Sequence, residues 1–331
     1  MPMRAPRCRR WHRDGILMAR AIIPDAARVA GIALMLSLAL GSTVAFAGWG
    51  SGRSEAQSGR APPAPSVKPP APTQPVRHDF ILNGPMVQGG ALIGIAPPGT
   101  TALTLDGALV TVSEDGRFLI AFDRDAPPTA MLVATTPGGM VTHALAIAPR
   151  AWNIERLDTL PRFAQPTEEF ERRRPQELAA INAARTVNAV SNGWRQRFQW
   201  PVTGRLSGMF GAQRIYKNGE AGSYHSGTDV ARPTGTPVIA PADGVVILAA
   251  DSPFTLEGNL LMLDHGMGLN SSFLHLSRID VHVGEHITQG EQIGAVGMTG
   301  RATGPHLHWS LKWRDRRIDP LLLAGPMPTG R

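Results

Sequence analysis

The chain has 331 residues, 43% of them hydrophobic, with 33 Lys and Arg against 26 Asp and Glu. That is enough apolar material for about two packed domains and excludes wholesale disorder and a multi-span membrane protein. Glycine (36) and proline (29) are abundant while aromatic residues are only 6%, which favours short strands joined by turns over long helices, so a mainly β protein is expected. The net charge of +7 is concentrated in residues 1–47, which hold seven Arg against two Asp; no basic stripe remains to bind phosphates, and nucleic acid is excluded as a partner.

In chain order, residues 1–47 read as an export signal. The apolar stretch from Val29 to Ala47 ends in Ala45-Phe46-Ala47, the small-x-small pattern that precedes cleavage. An uncleaved membrane tether through residues 29–47 is the alternative, weakened by Gly41, Ser42 and Thr43. The expected location is the periplasm or cell envelope. The single cysteine, Cys8, lies in this leader, so no disulfide framework is expected. Residues 48–77 are rich in Pro, Ala and Ser and read as an extended spacer. Over residues 78–150, turn signals at Pro97-Pro98-Gly99, Asp106-Gly107, Asp115-Gly116 and Pro137-Gly138-Gly139 separate short apolar runs, the pattern of a small β-sandwich-like domain. It contains no cluster of ligands or nucleophiles and reads as a spacing or docking module. Residues 151–199 read as a helical connector. Pro175 suits a first turn and Asn192-Gly193 an end, predicting a helix from Pro175 to Ser191 with an apolar stripe of Leu178, Ile181, Ala184 and Val187. That helix either packs on the back of the next domain or lies across its groove, with Asn182 or Asn188 reaching toward a metal.

Residues 200–325 hold the chemistry, because seven of the ten histidines fall between His225 and His308. In His225-Ser226-Gly227-Thr228-Asp229, the glycine and the β-prone residues after it indicate a loop entering a strand, able to aim an imidazole and a carboxylate at one ion. From His306 to Lys312 the sequence reads as a strand, so His306 and His308 share a face while Leu307 points away. His308 joined to His225 and Asp229 gives three protein ligands, the count that leaves a position for water. His275, in Ser272-Phe273-Leu274-His275-Leu276-Ser277, falls at a strand end. With no HExxH glutamate to act as general base, His275 and His306 are the candidates for acid and base catalysis, in an order left open.

The three segments around these residues, HSGTDVARPTGTPVIAPADGVV, GNLLMLDHGMGLNSSFLHLS and VGEHITQGEQIGAVGMTGRATGPHLHW, together resemble the lysostaphin-type, or LytM-type, zinc metallopeptidases that cut peptide cross-links in peptidoglycan. The likeness covers about residues 200–320 and departs nowhere in the core motifs. It implies an antiparallel β-domain of the LytM or duplicated-hybrid-motif type, with one Zn2+ per chain on His225, Asp229 and His308 and catalysis by His275 and His306. It also implies peptidoglycan as the partner; the Ala-, Arg- and Pro-rich export leader, with no segment resembling a wall-targeting domain of the lysostaphin kind, favours D-alanyl to diaminopimelate links over glycine bridges. The alternative is a non-catalytic murein-binding activator of another wall hydrolase, which the intact set of five residues disfavours. His265, His282 and His286 are assigned no chemistry, although His265 is a candidate brace of the barrel. The run from Val281 to Gly297 also resembles lipoyl-carrier hairpins but has no lysine for the prosthetic group, so a carrier is excluded.

Overall fold

A computed structural model of the chain describes residues 79–157 and 167–328; the expected export signal and spacer lie outside the described residues. Strands β1 (Ile81–Asn83), β2 (Ala91–Ile95), β3 (Ala102–Leu105), β4 (Ala108–Leu109), β5 (Arg117–Ala121), β6 (Thr129–Thr136) and β7 (Gly139–Ala146) form two antiparallel sheets, β1-β2-β5 and β4-β3-β6-β7. Alternation sets their inner faces: in β6, Ala130, Leu132 and Ala134 are buried while Thr129, Met131 and Thr135 face outward. Phe118, Ile120 and Leu92 meet Leu103, Leu132 and Leu145 in one core, which makes this region a small sandwich. Asp106-Gly107 turns β3 into β4 with positive φ at both residues, the backbone that a two-residue hairpin needs.

The connector is less helical than its composition suggests. It holds a strand, β8 (Ile154–Leu157), and then α1 (Glu168–Arg185). The helix starts before Pro175, which sits inside it, and ends at Arg185 rather than Ser191. Thr167 caps the start by accepting from the Phe170 N–H, and Glu168, Glu169 and Glu171 place negative charge on the first turn. At the other end Thr186 turns its hydroxyl onto the Ala183 carbonyl, and the Thr, Val and Asn residues that follow are weak helix formers. The Asn192-Gly193 signal belongs to a separate 3-10 turn, Gly193–Arg195. The buried stripe of α1 is Glu177, Ile181 and Ala184, whereas Leu178 and Val187 are exposed.

The C-terminal domain contains β9 (Arg205–Gly208), β10 (Gln213–Tyr216), β11 (Thr228–Ala231), β12 (Pro237–Ile239), β13 (Gly244–Ala249), β14 (Asn259–Asp264) and β15 (Leu269–Leu276). It continues with β16 (Arg278–Ile279), β17 (His286–Ile287), β18 (Gln292–Ala295), β19 (His306–Trp313), β20 (Arg316–Ile318) and α2 (Pro320–Ala324). An antiparallel sheet ordered β17-β13-β14-β15-β19-β11-β9, with β20 on β19, forms its body, and β12-β18-β16 a smaller sheet. The connector contributes to this domain: β8 pairs in parallel with β10, and Trp194 and Phe198 are buried in the same core as Trp309.

The two faces of the large sheet differ. Leu307, Trp309 and Leu311 of β19 and Leu261 and Leu263 of β14 fill the core, so His306, His308, Ser310 and Lys312 alternate onto the other face. Helix α1 lies on that second face, where Ile181 and Ala184 pack with Ile247, Leu248, Leu260 and Met262, and Leu274 packs against them. Because Leu274 is the cross-strand partner of His308, α1 flanks the strands that carry the histidines and is not a connector on the back.

The sandwich docks on this domain through arginines. Arg124 lies between the rings of Trp152 and Tyr224 at 5.3 and 4.9 Å and donates to the Gly211 carbonyl and the Gln213 side chain. Tyr224 donates its hydroxyl to Asp123 at 2.8 Å, and Arg150 pairs with the buried Asp319 at 2.8 Å.

Candidate metal centre

Asp229 and His308 are direct cross-strand partners on β11 and β19, which puts both side chains on one face within about 5 Å. His225 lies in the loop just before β11. That loop is pinned by backbone bonds from Gly211 N to His225 O and from His225 N to Ala212 O, at 2.9 and 2.7 Å. His225 Nδ1 faces the Met209 carbonyl at 3.0 Å; a carbonyl can only accept, so Nδ1 carries a proton and Nε2 is the nitrogen turned toward Asp229 and His308. Nε2 lies 3.1 Å from Asp229 Oδ1 and 3.1 Å from His308 Nδ1, and His308 Nδ1 lies 2.9 Å from the same oxygen. Two ligands bound at about 2.05 Å to a tetrahedral zinc stand about 3.3 Å apart, so movements of a few tenths of an ångström convert this triangle into three arms of such a site. Neither Asn182 nor Asn188 is among these partners.

Electrostatics suit the same chemistry. Burial opposes charge on Asp229, but hydrogen bonds from His225 and then His308 hold its carboxyl well below the usual carboxylate range. Burial keeps His308 below the ordinary imidazole value, and a metal ligand must be neutral. Two glycines make room: a Cβ on Gly208 would strike the Asp229 carboxylate, and one on Gly227 would come within 2.8 Å of His308 Nε2. Among the described residues, His225, Asp229 and His308 are the group of His, Cys, Asp or Glu side chains able to share one ion.

His275 and His306 stand beside this triangle, each by a different device. His306 is placed by strand alternation on β19. His275 is placed by a bulge: Asn259 pairs with Leu276 and Leu261 with Phe273, so Leu260 alone faces both Leu274 and His275. At His275 φ is 64°, a left-handed backbone that costs a non-glycine residue about 1 kcal/mol or more. The His275 and His306 rings are 4.8 Å apart, and the His275 ring is 6.3 Å from that of His308. Each directs Nδ1–H at a carbonyl, His275 at Thr299 and His306 at Gly304, both at 2.8 Å, which leaves each Nε2 as an available base. Burial, assisted by the neighbouring imidazoles, pushes His275 down to about 4.

The other histidines behave differently. His265 is fully buried, donates from Nδ1 to Asp243 O at 2.7 Å and accepts at Nε2 from the Ser271 hydroxyl at 2.7 Å. It braces the core next to Trp194 and Phe198. His282 and His286 are exposed. The supports from Met209 and Thr299 act through backbone carbonyls, which leave no signature in side-chain identity, and the bulge at His275 is likewise a property of strand register.

Residues 223–320 match the model of peptidase family M23. This segment belongs to that family. Peptidoglycan DD-endopeptidase ShyA of Vibrio cholerae is 38% identical over 132 residues, which is 40% of this chain and 30% of that protein. DD-carboxypeptidase/endopeptidase Mpg of Neisseria meningitidis is 38% identical over 124 residues, 38% of this chain and 28% of that protein. The chain thus spans less than a third of the length of these curated relatives. A solved structure from Pseudomonas aeruginosa, described as an M23 peptidase, shares 29% identity with a TM-score of 0.55, covering 72% of this chain and 94% of that one. That likeness extends well beyond the M23 domain into the residues before it.

Proposed function

We propose that this chain is an exported zinc-dependent endopeptidase that hydrolyses D-alanyl to diaminopimelate cross-links of peptidoglycan. The observation that carries the reading is the convergence of His225, Asp229 and His308 with two further imidazoles on one sheet face. The M23 match and the relatives named DD-endopeptidases support the substrate class. The export leader read in residues 1–47 would deliver the enzyme to that substrate.

The chemistry that zinc supplies when held by His225, Asp229 and His308 is polarisation of the scissile carbonyl and activation of the attacking water. The side chains do the rest. Asp229 would bring one negative charge to offset half of a dication's, and the Met209 carbonyl keeps His225 in the tautomer that presents Nε2. His275 and His306, each with Nδ1–H anchored on a carbonyl, turn Nε2 toward the reacting groups to take a proton from water and return one to the leaving amine. Digestion of defined cross-linked muropeptides by the full chain, with and without chelator, tests this by mass spectrometry of the fragments. The expected result is one cut at the D-alanyl to diaminopimelate amide, lost on chelation and restored by zinc. Cutting confined to glycine bridges would reassign the substrate. Murein binding without any cleavage by the zinc-loaded chain would sink the reading.

A further inference from the structure

Helix α1 contributes none of the three residues of the metal centre, yet it grips the loop on which His275 depends. Residues 250–258 join β13 to β14, and side chains of α1 tie them down at three points. Arg173 donates to the Pro253 carbonyl at 2.6 Å. Glu177 accepts from the Thr255 N–H at 2.7 Å and from its hydroxyl at 2.6 Å. Arg174 holds Glu257 with both arms of its guanidinium, at 2.6 and 2.8 Å, a bidentate charge-assisted pair that fixes direction as well as distance. Glu177 and Glu257 are both buried, so neither carboxylate exchanges these partners freely for water. Phe254, between the anchored positions, packs on the cluster that contains Ile181 and Ala184 of the helix.

The gripped loop carries His275 in turn. The Glu257 carbonyl accepts the His275 N–H at 2.8 Å, at the residue whose backbone is left-handed. A non-glycine residue persists in that conformation only where its surroundings over-determine it. The same loop also seats the turn that fixes the His275 ring. The Leu256 carbonyl accepts the Arg301 N–H at 3.0 Å, and a Cβ on Gly258 would strike the Thr299 backbone. Thr299 receives the Asn259 N–H on its hydroxyl at 2.9 Å and the His275 Nδ1–H on its carbonyl at 2.8 Å. Backbone and ring of His275 are thus both referred to one loop, and that loop is referred to α1.

We propose that Arg174 and Glu177 are positioning residues: through residues 253–257 they hold His275 in the one tautomer, Nδ1–H on the Thr299 carbonyl, that leaves Nε2 to move a proton. The role in hydrolysis rests on the endopeptidase reading above, whereas the hold on the tautomer does not. Without the clamp the loop loses its charged anchor, the His275 backbone relaxes, and Nδ1–H loses its alignment with Thr299. A neutral imidazole in freer surroundings places its proton on either nitrogen, and the fraction with Nε2–H does not serve as a base. Misplacement by ~1 Å can cost a reaction about 10²-fold. The helix of the connector therefore belongs to the proton-transfer apparatus without touching substrate.

The test reads the tautomer directly. Long-range proton–nitrogen spectra of the zinc-loaded full chain, labelled at histidine, distinguish the Nδ1–H from the Nε2–H form. His275 is assigned by the signal lost in His275→Ala, and His265, braced by Asp243 and Ser271 instead, reports that the fold persists. Arg174→Met and Glu177→Ala should each turn the single His275 tautomer into a mixture while the His265 signal stays in place. Glu177→Gln, which keeps an acceptor for the Thr255 N–H, should preserve the single form. Arg173→Met, at the more exposed edge of the clamp, should loosen the same signal to a smaller degree even if the buried substitutions perturb folding. On one defined muropeptide, Arg174→Met should lower kcat about tenfold with KM and zinc content nearly unchanged. In a His275→Ala background the same substitution should cost less than about twofold, because a residue acting through His275 has nothing left to act on. An unchanged His275 tautomer in every variant that keeps the His265 signal, or an equal loss of kcat with and without His275, would overturn the proposal. A shifted tautomer in a chain that hydrolyses no muropeptide would leave the hold of α1 on His275 standing and remove the endopeptidase reading, so the two failures are distinguishable.

Discussion

Protonation of His265 should destabilise the fold in a defined pH window. The imidazole is fully buried, and burial pushes it down to about 4. In the unfolded chain it titrates near the ordinary 6.5. Below 6.5 the unfolded state therefore binds a proton that the folded state refuses, and stability is lost as pH falls from 6.5 toward 4. At about 1.4 kcal/mol per pH unit the full difference is about 3 kcal/mol, a large part of the 5–15 kcal/mol typical of a domain. The geometry explains the refusal: a proton on Nε2 would meet the Ser271 oxygen, which already accepts from Trp309 Nε1 and would have to surrender its own donor role. Urea unfolding of the metal-free chain between pH 7 and 4 measures the effect, with His265→Gln as the reference. Gln keeps a donor and an acceptor but does not titrate, so the wild type should lose about 3 kcal/mol more than the variant over this range. Parallel pH profiles for the two proteins would refute the reasoning.

His225→Ala or Asp229→Ala should each abolish retention of the single zinc, because one ligand of three is lost; metal analysis after dialysis decides, and full occupancy would mean that the ligands are wrongly assigned. His275→Ala and His306→Ala should instead keep zinc and lose about 10²- to 10⁴-fold in hydrolysis rate, measured on one defined muropeptide, while near wild-type turnover would return that histidine to a structural role. Gly227→Ala should weaken zinc binding with little change in secondary structure, since the added methyl group meets both the Trp309 carbonyl and His308 Nε2; unaltered zinc affinity by competition with a chromogenic chelator would contradict it.

Much of the site is legible in the sequence because it follows from strand periodicity. His306 and His308 had to share a face once β19 was a strand, and Gly227 marked the loop that feeds Asp229 into β11. The failures have equally local causes. Helix α1 was placed too late because Pro175 and Asn192-Gly193 are strong boundary signals elsewhere, whereas the operative cap is Thr167 with three glutamates behind it. Its buried face was misread because Glu177 counts as polar in any pattern, yet it is buried with hydrogen bonds from the Thr255 N–H at 2.7 Å and hydroxyl at 2.6 Å. The bulge that aims His275 depends on the register between the neighbouring strands β14 and β15, which the residue pattern of neither strand alone encodes.

The docking of the sandwich reaches the metal centre through one short relay. Arg124 covers the ring of Tyr224, the neighbour of His225, and grips the Gly211 carbonyl while the Gly211 N–H holds the carbonyl of His225. Whatever free energy the docked sandwich contributes to ordering this loop, it contributes to ion affinity as well. Linkage makes that exchange reciprocal: loading the ion must tighten the hold of the sandwich by the same factor by which the sandwich raises affinity for the ion. On the zinc reading proposed above, the sandwich would act as an effector of the metal site.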